Sequence, residues 1–118
     1  MEVKKALTVF HYAEKIKSNL ILAAKLLEAL ENMKQEEVAG AEKIFIAYLN
    51  SFISEAHIAA NASGVKQFMD VGAKLDEAIE QTLRHDYYAT MKLISEAISI
   101  ITTSGSAAAE ILKEKNLI

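Results

Sequence analysis

Cysteine and proline are both absent from the 118 residues, and glycine occurs only four times. Without cysteine there is no disulfide, no thiol nucleophile and no thiolate-held metal. Without proline, and with so little glycine, almost nothing in the chain would interrupt a helix. Arginine occurs once, as Arg84, and the net charge is −3. Nucleic-acid binders carry a dense basic footprint and favour arginine for phosphates and guanines, so nucleic acid is not an expected partner. There is no uncharged apolar run of the roughly 18 residues that a spanning helix requires, so no membrane partner is expected. The first residues, Met1-Glu2-Val3-Lys4-Lys5, show no apolar signal-like segment before their charges. The expectation is a cytoplasmic protein.

What is present is alanine (19 residues), isoleucine (13) and leucine (12). Apolar residues make up 52% and charged residues 25%, which excludes disorder and fits one folded domain over residues 1–118. The apolar residues recur in steps of three and four. Ala6, Val9, Ala13, Ile16, Leu20, Ala23, Leu27 and Leu30 predict one long helix from Val3 to about Met33. Glu31–Gln35 is a polar turn. Val38, Ala41, Phe45, Tyr48, Phe52, Ala56 and Ala59 predict a second helix that ends at Asn61-Ala62-Ser63-Gly64, with Gly64 in the left-handed capping position. Val65, Phe68, Gly72, Leu75, Ile79 and Leu83 stripe a shorter third helix. Gly72 is expected to let another backbone approach, and Asp70–Lys74 and Glu80–Arg84 form acid-before-base pairs.

Asp86 is an N-cap for the fourth helix, whose seam is Tyr87, Met91, Ile94, Ile98 and Ile101. Thr102-Thr103-Ser104-Gly105-Ser106 has the composition of a loop, yet the seam continues in phase through Gly105, Ala108 and Leu112. A continuous helix to about Lys115 is favoured over a break with a short fifth helix. The fold class is therefore all-α, an up-down-up-down four-helix bundle. Leu20, Leu27, Phe45, Phe52, Leu75, Ile94 and Ile98 are the expected core.

Charge is missing where a lone bundle should show it. Between Ile44 and Val65 the only charge is Glu55, and Ala97–Ala109 has none. Asn50, Ser54, His57 and Asn61 share one polar, uncharged face of the second helix. Thr102, Gly105, Ala108 and Ala109 give the late fourth helix small residues that permit close helix approach. Both segments are candidates for an interface or ligand face, and packing as a homodimer is expected.

Motifs of known chemistry fail on spacing. The Glu-x-x-His pairs of carboxylate-bridged metal bundles do not occur, so no metal or cofactor is expected. Glu36-Glu37 starts the acidic string of the helical nucleoside-triphosphate pyrophosphatases, but Gly40 stands where a third acid is required. His57 lacks the lysine and glycine that follow a phosphotransfer histidine, having Ala60 and Asn61 instead. His85-Asp86 has no proline after it, and its threonine, Thr90, falls one place late. No nucleophile elbow or phosphate loop is present, so no catalytic residue is assigned. The expected function is a non-catalytic interaction or scaffold module, a homodimer with room for a helical protein partner. The competing expectation is a phosphoacceptor or a bundle handling a small ligand or nucleotide, with its site around His57.

Overall fold

The computed structural model describes residues 1–118 as four helices: α1 (Val3–Glu31), α2 (Gln35–Ser63), α3 (Gln67–Leu83) and α4 (Tyr87–Glu114). Each helix packs on its neighbours in cyclic order, α1 on α2 and α4, and α3 on α2 and α4. His57 of α2 lies against Gly72 of α3, while Glu42 of α2 meets His85 just beyond α3. Numbering falls along one helix as it rises along the other, the antiparallel order that three-residue turns impose. The bundle is 54 Å long and about 20 Å across.

The expected core is found with shifts of one position. Leu20, Leu27, Phe45, Phe52, Leu75 and Ile94 are buried in one contiguous cluster. Ile98 is only half-buried, because α4 turns Ala97 and Ile101 to the centre instead. Leu49 takes the central place expected of Tyr48, which lies outside. On α3, Val71, Ala78 and Thr82 are buried, while Leu83 is exposed. A period of 3.6 lets a seam drift by one residue over several turns, and a fixed alternation of threes and fours does not follow it. The buried hydroxyls are satisfied locally. Thr82 donates to the Ala78 carbonyl at 2.8 Å and faces Thr90 at 3.2 Å, and Thr90 donates to the Asp86 carbonyl at 3.0 Å.

Helix ends follow capping chemistry. Gly64 has φ +72° and donates to the Ala60 carbonyl at 2.8 Å, the single bond of an αL cap. Asp86 Oδ1 accepts from the Ala89 amide at 3.1 Å, as expected of an N-cap. The N–H of Lys34 donates to Glu37 Oε1 at 3.3 Å at the start of α2. The ends of α3 and α4 are Schellman motifs. His85 N–H bonds the Thr82 carbonyl and Asp86 N–H the Gln81 carbonyl, and Asn116 and Leu117 repeat the pattern on Lys113 and Leu112. The residues held left-handed there are His85 at φ +62° and Asn116 at φ +57°.

Helix α4 is continuous through Gly105. A Cβ on Gly105 would lie 3.2 Å from Cβ of Ala13, so the glycine sets the separation of α1 and α4. Gly72 plays a different part from the expected one: its missing side chain makes room for the His57 imidazole rather than for a backbone. Lys74 pairs with Glu96 of α4 at 3.1 Å instead of with Asp70, so its charge joins two helices rather than decorating one. No helix is long and apolar enough to cross a membrane.

Candidate functional site

The two uncharged segments have different fates. Asn50, Ser54, His57 and Asn61 are all exposed on one shoulder of α2, as their spacing requires. Late α4 divides. Thr102 is exposed and Ala109 half-buried, but Gly105 and Ala108 are buried against α1 inside the chain. Their small size serves the α1–α4 contact, so they are not free to meet a second molecule. The absence of charge in late α4 thus has an internal cause at two of its four named positions.

A surface that sequence spacing does not single out lies on the opposite shoulder of α2. Ile44 is 63% exposed and Tyr48 44% exposed, and Met33, just past α1, is exposed beside them. Between the helices runs a groove of about 120 Å³ walled only by apolar residues, including Leu26, Ala29, Met33, Ala41, Ile44 and Tyr48. Further along the same helix pair Lys15 and Asn19 both bind the Glu55 carboxylate, Lys15 at 3.2 Å. Single exposed apolar side chains are ordinary on a protein surface, whereas a contiguous strip beside a groove marks a contact surface.

At the end of the bundle that holds the α1–α2 and α3–α4 turns, three side chains from separate segments converge. Glu42 is 6% exposed although it is a carboxylate, and no lysine or arginine neutralises it. His85 Nδ1 lies 2.6 Å from its Oε2, and the Tyr87 hydroxyl donates to the same oxygen. Burial pushes the Tyr87 hydroxyl up from 10 to about 12, helped by its hydrogen bond to Glu42 and the charges of Glu42 and Glu31. Tyr87 is therefore a neutral donor, and Glu42 is the acceptor for both partners. A carboxylate has only acceptor sites, which makes Nδ1 of His85 the protonated ring nitrogen. The His85 side chain is 67% exposed, and its Nε2 has no partner in the protein. A shallow cavity of about 300 Å³ opens there, lined by Gln35, Val38, Ala39, His85 and Tyr87.

Glu42 is invisible to a seam read by hydrophobicity, because it occupies a core position between Phe45 and the turn. The available signal is its register: position 42 is in phase with Phe45, Leu49 and Phe52, and an acid in phase with a core must find donors. Comparison with protein-family models, with characterised proteins and with solved structures gave no match.

Proposed function

We propose that this protein is a helical interaction module that pairs with a second copy of itself through the α1–α2 shoulder. The observation that carries the reading is the exposed apolar strip of Met33, Ile44 and Tyr48 along the groove. Covering it with the same strip of a symmetric copy gives a self-complementary contact, the commonest form of homo-oligomer. The polar shoulder of Asn50, Ser54, His57 and Asn61 stays accessible in that arrangement. It is the alternative contact surface, with side chains able to bond across an axis without burying charge.

Light scattering across a micromolar range tests both. Pairing gives twice the chain mass of 13.0 kDa. Ile44→Asp, which sets a charge in the strip, is expected to return the monomer, and Ser54→Arg to leave the dimer intact. If Ser54→Arg dissociates the pair and Ile44→Asp does not, the polar shoulder is the contact. A wild-type chain that runs as a monomer throughout rejects self-association.

A further inference from the structure

We propose that Glu42, His85 and Tyr87 form a reactive-histidine site, with Nε2 of His85 the nucleophile toward a small, uncharged acyl group. The site adjoins the α1–α2 groove, which Ala41 and Phe45 line on either side of Glu42, and lies away from the His57 shoulder.

Three observations support it. First, the hydrogen bonding assigns the ring tautomer. Glu42 accepts from Nδ1 at 2.6 Å, so the lone pair of the neutral ring is on Nε2 and faces outward. A carboxylate behind an imidazole fixes ring orientation and stabilises the cation that forms when Nε2 acts. Second, His85 holds a left-handed backbone. His85 stands at φ +62° in the place of a Schellman motif where glycine is usual, a conformation that strains an ordinary side chain. The imidazole reaches Glu42 from there; glycine would ease the turn and leave the buried carboxylate without this hydrogen bond. Third, Nε2 borders a cavity with apolar walls from Val38 and Ala39 and the Tyr87 ring.

The charges choose the ligand class. Glu42 and Glu31 both act on Tyr87. An anionic electrophile such as a phosphoryl donor meets these two carboxylates, whereas a neutral ester meets none of that repulsion. In the reaction the Nε2 lone pair attacks the carbonyl carbon, the carbon–nitrogen bond forms, and the ester carbon–oxygen bond breaks. The alkoxide or phenolate leaves with the bonding electrons, and the cationic ring keeps its Nδ1 proton, hydrogen-bonded to Glu42; the proton that water later releases neutralises the leaving group. Water then cleaves the acyl–nitrogen bond, releasing the acid and restoring the ring.

Two measurements test this on the full chain. Nitrogen-15 NMR of the imidazole reads the tautomer directly: His85 is expected to carry its proton on Nδ1. Para-nitrophenyl acetate is the acyl probe. His85→Asn, which keeps a residue that tolerates positive φ, is expected to lower the rate above background about 10-fold or more. His57→Asn and His11→Asn, which remove other exposed imidazoles, are expected to leave it unchanged. Glu42→Gln, with the helical circular dichroism intact, is expected to lower the rate and to move the ring proton toward Nε2, since an amide can donate to Nδ1. A wild-type His85 protonated on Nε2, or a loss in His85→Asn no greater than in His57→Asn, overturns the proposal.

Discussion

Replacing Gly105 with alanine tests the closest helix contact in the molecule. Glycine in a helix interior costs about 1 kcal/mol relative to alanine, so local propensity favours the change. Packing opposes it. The new Cβ would lie 3.2 Å from Cβ of Ala13, well inside ordinary van der Waals contact. The obstructing atom is fixed to the α1 backbone and has no rotamer to escape into, so the helices themselves must part by a few tenths of an ångström. Overpacking of this kind costs typically about 1–3 kcal/mol. The balance is a net loss of about 0–2 kcal/mol, with a midpoint near 1. For a domain of this length that is a fall in Tm of roughly 4 °C.

Gly40 supplies the control. It lies in α2, and a Cβ there meets nothing within 4 Å, so Gly40→Ala gains propensity with no opposing contact. The expected outcome is a stabilisation of up to about 1 kcal/mol. Urea unfolding of the two variants, followed by circular dichroism at matched slopes, compares them directly. The pair should move in opposite directions. If Gly105→Ala gains as much as Gly40→Ala, then α1 and α4 separate freely at Ala13, and the close approach does not hold the bundle.

Leu27→Ala is expected to cost about 2–5 kcal/mol by denaturant unfolding, because Leu27 is wholly buried. Leu83→Ala should stay within about 0.5 kcal/mol, since that side chain is exposed; a large loss there would show that α3 packs a face different from the one described. Gly72→Ala is expected to be tolerated despite a 3.1 Å approach to His57 Nε2, because an exposed ring can swing aside; a loss as large as that of Gly105→Ala would mean that the ring is fixed. Tyr87 gives a pH dependence. Its hydroxyl ionises at about 12 in the fold against 10 in an unfolded chain, so its stabilisation is complete below pH 10 and is lost as pH rises from 10 through about 12. Ultraviolet titration should show one late-ionising tyrosine that disappears in Tyr87→Phe; a wild-type curve with no late step rejects the buried hydrogen bond to Glu42.

Helix number, order and ends were legible because capping and periodicity are local. Gly64, Asp86 and the in-phase run through Gly105 each act within a turn or two of themselves, and no distant contact overrides them. The errors lie at Tyr48, Leu83 and Ile98, where residue type and position disagree. Each is large and apolar and sits one step from a position facing the centre. The occupant of that position, or its neighbour in the seam, is Leu49, Thr82 or Ala97. Inside a narrow bundle the small Ala97 and Thr82 fill the available space, while bulk is pushed to the shoulders. Hydrophobicity alone ranks the bulky residue first and so misplaces the seam.

The candidate faces were legible only in part, for a related reason. Missing charge is a property of a segment, and it has two physical sources that a sequence does not separate: a surface awaiting a partner, and a backbone pressed against another helix of the same chain. Asn50, Ser54, His57 and Asn61 face outward, whereas Gly105 and Ala108 turn inward, although both groups come from charge gaps. The deciding quantity is which side of the helix meets a neighbour, and that is fixed by all four helices together. The Glu42 cluster is harder still. It joins positions 42, 85 and 87, and no spacing connects an acid early in α2 to a histidine at the end of α3. What could have exposed it is a conflict within each residue's own setting: an acid in phase with a core, and a histidine standing where a helix would ordinarily end in glycine. Each conflict alone is common. Here they are the two halves of one hydrogen bond, and that is why neither residue discloses the cluster alone.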